Sequence, residues 1–210
     1  MIQFKDVTVI YDKDVVGLDK ASFTINTDEF VFPIGKTGAG KSSAIKLLTG
    51  EIKPTSGDVI IDGIIVNSLK RSKIPYLRRA QGVVFQDFRL LPNKTVFENV
   101  AFAMEIIGKS KKEIKRKVPK ILTLVGLGDK GNNYPNEISG GEQQRVSIAR
   151  ALVNSPSVII ADEPTGNLDV ETSTDIMKIF DEINKMGTTI VMVTHSEKIV
   201  NDMQKRVIQL

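Results

Sequence analysis

The run Gly35-Lys36-Thr37-Gly38-Ala39-Gly40-Lys41-Ser42 leaves this chain few folds to choose from. It satisfies G-x-x-x-x-G-K-[ST] in full, and its flanks are right. The short apolar run Phe30 to Ile34 precedes it and reads as a buried strand. A helix-like stretch with Ala44, Ile45, Leu47 and Leu48 apolar follows it. Glycines let such a loop curl until its backbone N–H groups point inward at phosphate oxygens. The helix that starts there adds the positive end of its dipole. In this pattern Lys41 neutralises the β- and γ-phosphates and the Ser42 hydroxyl can ligate Mg²⁺.

The rest of the chain supplies the sheet that such a loop needs. Ile2 to Ile10 and Ala21 to Ile25 alternate apolar and polar residues, as half-buried strands do. Asp58 to Ile61, Gly82 to Phe85, Val158 to Ala161, Thr188 to Val193 and Val207 to Leu210 read as further strands. Between Asp87 and Asn136 the pattern turns helical, with Ile114, Val118, Ile121, Leu122 and Val125 on one face. Pro119 is expected to kink or restart that helix near Arg116. Gln143 to Asn154 and Glu171 to Met186 are further helices. Strands alternating with helices imply a parallel α/β sheet, with the helical middle inserted between two of its strands. At 210 residues this is one large domain, or a domain with an inserted subdomain.

Composition removes several chemistries. The chain has no cysteine, so disulfides, thiol catalysis and Cys-ligated metals are excluded. It has one histidine, so His-pair metal sites are excluded, and any metal must be a hard cation held by oxygen. No apolar run is long enough to span a bilayer, and the first residues lack the basic and apolar regions of a signal peptide. A soluble, cytoplasmic protein is expected, with any membrane link made through a partner or its own surface.

Val158-Ile159-Ile160-Ala161-Asp162-Glu163 is the second chemical motif: a buried strand ending in two adjacent carboxylates. Asp162 can hold the metal through water while Glu163 polarises the attacking water, a contribution of about 10²–10⁴-fold for a well-placed general base.

A phosphate loop fits many nucleotide triphosphatases, and Ser139-Gly140-Gly141-Glu142-Gln143-Gln144-Arg145 narrows the choice. It resembles the signature motif of ATP-binding cassette (ABC) ATPases and stands about twenty residues before Asp162, with Ser139 a good N-cap. The other family motifs follow in order over essentially the whole chain. Tyr11 matches the aromatic that stacks on adenine, and Gln86 matches the Q-loop glutamine. Gly166-Asn167-Leu168-Asp169 matches the D-loop, and His195 matches the switch histidine.

The resemblance implies an α/β phosphate-loop fold of the ABC ATPase type. Its expected parts are a mixed-sheet core, an N-terminal antiparallel β subdomain and an inserted α-helical subdomain. Residues 1–210 then form a single ABC ATPase domain, with 1–86 and 157–210 as the core plus β subdomain and about 87–156 as the helical subdomain. The implied cofactors are ATP and Mg²⁺. ATP contacts fall on Tyr11, Gly35, Lys36, Thr37, Gly38, Ala39, Gly40, Lys41, Ser42, Ser43 and Gln86, and metal contacts on Ser42, Gln86 and Asp162. Glu163 and His195 are the catalytic pair. The resemblance further implies a homodimer closed head to tail on ATP, in which Ser139, Gly140, Gly141, Glu142 and Asp169 reach the other subunit's nucleotide. Hydrolysis then opens the dimer as the mechanical output.

Within the family, Gly82 to Pro92, Thr95 to Ala101, Ala103 to Gly108 and Asp162 to Asp169 look most like the branch that serves bacterial cell division. That branch works at the cytoplasmic face of the cell membrane through an integral membrane partner, relaying ATP-driven closure to cell-wall hydrolases outside. The ATPases of lipoprotein-release and macrolide-efflux transporters share much of the same pattern. The family docks its partner after the Q-loop, where Phe88, Leu90, Leu91, Val96, Phe97, Val100 and Met104 offer an apolar surface. Phe88 and Leu91 lie outside the helical period and are the best candidates for that contact. No nucleic-acid partner is expected, because DNA-binding ABC ATPases split their motifs around a long coiled coil for which this chain has no room.

Three residues depart from the pattern. Pro33 stands inside the strand that feeds the phosphate loop, where the family has an aliphatic residue. Ile138 and Glu142 replace the signature's usual leucine and glutamine. The chain stops at Leu210 where the branch continues, so a shortened form is expected. The net charge of +4 also has an address. Lys109, Lys111, Lys112, Lys115, Arg116, Lys117 and Lys120 share their segment with one acid, Glu113, and without that segment the chain has 22 basic and 24 acidic residues. A solvated face or contact with anionic lipid would each account for such a cluster.

Overall fold

The computed structural model describes residues 1–12, 15–36, 38 and 40–210. Strands β1 (Ile2–Tyr11), β2 (Val15–Ile25), β4 (Ser56–Ile61) and β5 (Ile64–Ile65) form an antiparallel sheet in the order β2-β1-β4-β5. Strands β3 (Phe30–Ile34), β6 (Gln81–Val84), β7 (Val158–Asp162), β8 (Thr189–Val193) and β9 (Arg206–Gln209) form a second sheet in the order β6-β7-β8-β3-β9. Every pairing in this second sheet is parallel. The expected antiparallel β subdomain is therefore present as its own sheet, and only the mixed character of the core is corrected, since the core sheet is wholly parallel. Connectivity fits this: short connections join β1 to β2 and β4 to β5, whereas helices intervene between β6 and β7, β7 and β8, and β8 and β9.

Helix α1 (Lys41–Leu48) follows β3, and α2 (Ile74–Arg79) precedes β6. Between β6 and β7 lie α3 (Val96–Ile106), α4 (Lys111–Leu124) and α5 (Gly140–Leu152). Helix α6 (Val170–Lys185) links β7 to β8, and α7 (Glu197–Met203) links β8 to β9.

Side chains alternate along β7 and β8 and so divide the core in two. Ile159, Ala161, Ile190 and Met192 pack with α3 to α6, while Val158, Ile160, Val191 and Val193 pack with α1 and the antiparallel sheet. Both faces of the parallel sheet are thus buried, as such sheets require.

Pro33 has a local consequence. The Glu29 carbonyl accepts from Ile190 N–H on β8, and the Ile34 carbonyl accepts from Leu210 N–H beyond β9. By the alternation of backbone groups along a strand, Pro33 faces β8, toward which it has no N–H to donate. The β3–β8 pairing accordingly ends at Val31–Val191, while pairing to β9 continues to Ile34. Pro119 behaves differently from expectation. α4 runs unbroken from Lys111 to Leu124, because the exposed side of the helix lets water serve the Lys115 carbonyl left without a donor.

The apolar surface expected after Gln86 is also corrected. Val96, Val100 and Met104 are buried in the helical core, and Leu90 and Phe97 pack against it. Phe88 and Leu91 stay partly exposed. The loop that carries them is held from beneath by Asn99, which is fully buried. Its amide accepts from Leu91 N–H (2.8 Å) and donates to the carbonyls of Leu91, Lys94 and Thr95. Asn99→Ala should lower stability by about 1–3 kcal/mol, since it strands these backbone groups away from water. Urea unfolding checks this, and Asn99→Asp should fail to restore stability because a carboxylate accepts but cannot donate.

Candidate functional site

The phosphate loop leaves β3 at Ile34 and enters α1 at Lys41. Gly40 is the N-cap of α1 with a left-handed φ of 95°, and an added Cβ would run into the Gly17 carbonyl and Leu18. Only glycine fits this corner. Lys41 is 7% exposed, and its ammonium donates to the carbonyls of Gly35 (2.6 Å) and Lys36 (3.2 Å). The cation is thus held at the mouth of its own loop. Ser42 is exposed at the helix start, whereas Ser43 is buried and its hydroxyl bonds to that of Tyr11 (2.9 Å). Tyr11 is thereby fixed at the end of β1 beside the loop, and Gly38 is exposed. Thr37 and Ala39, two of the expected ATP contacts, lie outside the described residues.

The carboxylate pair sits where the parallel sheet ends. Asp162 is the last residue of β7, and burial pushes its carboxyl above the ordinary range, against the lowering effect of Arg89 and His195. Among the described residues no hydrogen bond satisfies it. A half-buried carboxylate of this kind is well matched to a cation. Glu163 follows with φ 48°, a strained conformation for a residue with a side chain. The Glu163 N–H donates to the Val193 carbonyl on β8, which locks the turn (2.9 Å). Glu163 Oε2 accepts from the His195 backbone N–H at 3.1 Å, and Oε1 lies 3.4 Å from His195 Nε2. Oε1 is buried and has no hydrogen-bond partner among the described residues. His195 itself is 64% exposed on its side chain and lines, with Gly35 and Lys36, a cleft of about 460 Å³. The structure thus brings the general-base candidate and the histidine together beside the phosphate loop.

Gln86 stands just past β6 and is tied to the D-loop by reciprocal amide bonds. Its Nε2 donates to Asn167 Oδ1, and Asn167 Nδ2 donates to the Gln86 carbonyl, both at 3.3 Å. This leaves the Gln86 side-chain oxygen free for a metal. Ser42, Gln86 and Asp162 offer a hydroxyl, an amide and a carboxylate, a donor set that fits Mg²⁺. Among the described residues no three His, Asp or Glu side chains gather into a cluster of their own.

The remaining site residues form a separate group at the start of α5 and α6. Ser139 caps α5 by accepting from Glu142 N–H, and Glu142 returns its carboxylate to Ser139 N–H (2.8 Å). That bond, more than the Lys130 ammonium 3.7 Å away, holds the Glu142 carboxyl below its ordinary range. Gly141 faces Thr172, where a side chain would collide, and Asp169 caps α6 through Thr172 N–H (2.9 Å). No described hydrogen bond or ion pair joins this group to Gly35–Ser42.

Three working residues escaped sequence reasoning. Asn167 was visible only as a member of the D-loop. Gln144 is fully buried and donates to the Pro164 carbonyl (2.6 Å), joining the signature helix to the turn after Glu163. Its signal is a polar residue at a core position, four and eight residues before the buried Ile148 and Leu152. Arg150 grips the carbonyls of Arg89 (2.6 Å) and Phe88 (2.8 Å), tying α5 to the loop after Gln86.

A family model described as "ABC transporter" matches residues 18–166. The "Cell division ATP-binding protein FtsE" of Bacillus subtilis (strain 168) is 53% identical over 210 residues, all of this chain and 92% of that protein. The protein of the same name from Escherichia coli (strain K12) is 42% identical, covering all of this chain and 95% of that one. Among solved structures, the post-hydrolysis dimer of the ATP-binding cassette MJ0796 bound to ADP and Pi superposes with a TM-score of 0.88 at 36% identity. That match covers 100% of this chain and 94% of the other.

Proposed function

Since the chain belongs to the ABC transporter ATPase family, we propose that it hydrolyses ATP as a head-to-tail dimer in cell division. The dimer acts on an integral membrane partner resembling FtsX and through it regulates cell-wall hydrolases. The chain is an ABC-type ATPase; the dimer's role, the partner and the site assignments are our reading. In this reading residues 1–86 and 157–210 carry the phosphate loop and the carboxylates, and about 87–156 is the helical subdomain that brings the signature.

One observation carries the proposal. The phosphate loop and the Ser139 helix start form two groups with no described bond between them, so one chain holds two half-sites. A second copy turned head to tail would set the N-terminus of its α5, with Ser139 to Glu142, against the γ-phosphate bound by Lys41. Free N–H groups and the helix dipole there favour negative charge. Glu163 would draw the proton from the attacking water, held in place by the His195 backbone, and the imidazole would contact the γ-phosphate. Ser42, Gln86 and Asp162 would hold Mg²⁺, which when bound neutralises charge on the β- and γ-phosphates. The solved relative, a dimer bound to ADP and Pi, supports a dimer that acts on nucleotide.

Coupling to the partner would run through the loop after Gln86. Phe88, with φ 55°, has its ring 3.9 Å from where a Cβ on Gly140 would stand at the start of the signature helix, and Arg150 clamps the loop to the same helix. A partner pressing on Phe88 and Leu91 would then move α5. Among the described residues no helix is long and apolar enough to cross a membrane, so attachment at the cytoplasmic face would be peripheral, through that partner.

Mixing two inactive variants tests the shared site. Lys41→Ala and Ser139→Phe chains should each be inactive alone. In a mixed dimer one site keeps an intact phosphate loop and an intact signature, so activity should return, to at most about one quarter of the parent's for independent sites. No recovery at any ratio, together with no ATP-dependent dimer on gel filtration, would overturn the head-to-tail reading.

A further inference from the structure

The mechanism leaves unused the most strongly charged surface of the molecule, on α4. Ile114, Val118 and Leu122 turn that helix's apolar stripe into the core. The stripe forces the cations outward: Lys109, Lys111, Lys112, Lys115, Arg116 and Lys120 are all exposed. The one acid among them, Glu113, is engaged in capping Ser110 and pairs with Lys109 at 3.3 Å. Lys112, Arg116 and Lys120 recur at i, i+4 and i+8 on the side away from Val118, and Leu124, 40% exposed, continues the row. Ile106, 57% exposed, stands where the chain approaches the helix. The 14-residue helix gives a cationic ridge about 21 Å long that ends on the exposed Leu124.

Lysines and arginines crowded like this repel one another. Burial, with the charges of Lys109 and Arg116, holds the Lys117 ammonium below its usual range. Like charges four residues apart on a helix destabilise it, so the ridge costs stability and is relieved only by an anionic counterpart. The rest of the chain carries a slight acidic excess, 24 acidic against 22 basic residues, so the α4 segment accounts for the chain's net positive charge.

We propose that the α4 ridge binds the anionic headgroups of a phospholipid bilayer directly, independently of any membrane partner. A bilayer fits better than a nucleic acid or an acidic protein for three reasons. Six of the seven cations in the segment are lysines, point charges without the planar fork that reads phosphate or carboxylate geometry. Lys112, Arg116 and Lys120 recur along one face of a helix, a surface that can lie flat against a bilayer plane. Ile106 and Leu124 offer the shallow apolar contacts that a headgroup layer accepts. Clusters of four to eight Lys or Arg on such a helix add about 1 kcal/mol of attraction each near an anionic surface.

The test uses the purified full chain without a partner, so it stands or falls apart from the reading of the partner. The chain should sediment with vesicles of phosphatidylcholine doped with phosphatidylglycerol, and not with phosphatidylcholine alone. Binding should fall steeply as salt rises. The triple variant Lys112→Glu, Arg116→Glu, Lys120→Glu should bind about 100-fold more weakly or worse. Its ATP binding should match the parent and its unfolding midpoint should not fall below the parent's, since all three side chains are exposed. Reversal of Lys70, Arg71 and Lys73, the other basic stretch, should leave vesicle binding within about threefold of the parent. The proposal is overturned if the parent ignores anionic vesicles. It is equally overturned if the second triple, rather than the first, abolishes binding, or if duplex DNA at the same salt competes the chain off the vesicles.

Discussion

Glu163→Gln should abolish steady-state ATP hydrolysis, with a fall in kcat of about 10²–10⁴-fold and little change in ATP affinity. The geometry makes this a clean experiment. The glutamate is only 16% exposed on its side chain, and Oε2 accepts from the His195 backbone N–H. A glutamine of the same shape can keep that bond by turning its amide oxygen to His195, which directs its NH₂ toward Nε2 of the ring. The strained turn is held by the Glu163 N–H to Val193 bond, and the substitution leaves this bond alone. What disappears is the basic lone pair of Oε1, the one buried oxygen of this carboxylate with no described hydrogen-bond partner. Because the phosphate loop is intact, ATP should still bind and the closed dimer should accumulate. Gel filtration with ATP should therefore show a dimer in the variant under conditions where the parent cycles back to monomer. Parent-level hydrolysis by Glu163→Gln would remove Glu163 from the mechanism.

Sequence could announce these residues because their chemistry depends on local spacing. The strand–glycine loop–helix unit is contiguous, so Gly35 to Ser42 could be read whole, and so could a buried strand that ends in Asp162 and Glu163. His195 stood out as the only histidine at the end of a strand. What remained hidden depends on contacts between segments far apart in the chain. Gln86 and Asn167 are 81 residues apart and meet through weak amide bonds that leave no periodic trace. Gln144 looked like one more polar signature residue until burial set it against Pro164. The apolar residues after Gln86 were ambiguous for a related reason. Val96, Val100 and Met104 share one helical face and went into the core, whereas Phe88 and Leu91 precede the helix and did not. The antiparallel β subdomain was expected from the family resemblance, but that the core sheet is wholly parallel was not legible, because it turns on which edges pair rather than on any strand's own pattern. Pro119 misled because proline's cost depends on whether the carbonyl it strands meets water, and here it does.

Lys41→Ala should raise the dissociation constant for ATP by about 10²–10⁴-fold, on the footing of two charge-assisted hydrogen bonds worth about 1.5–3 kcal/mol each. The ammonium is buried, 7% exposed, and donates to the Gly35 and Lys36 carbonyls. ATP would replace those carbonyls with phosphate oxygens. Binding then exchanges neutral acceptors for charged ones. That exchange is where the affinity originates, so removing the amine removes it even though the glycines and the α1 N-terminus remain. Lys41→Met separates charge from packing: it keeps the stem among the residues that bury Lys41 and should lose ATP to nearly the same degree. The folded protein should tolerate both changes, because the two carbonyls released lie at the mouth of a loop that water can reach. Calorimetric titration with ATP and Mg²⁺ gives the affinity, and thermal unfolding without nucleotide gives the control. If either variant binds ATP with the parent's affinity while folded, the phosphates are held elsewhere, and Gly35 to Ser42 is not the nucleotide site.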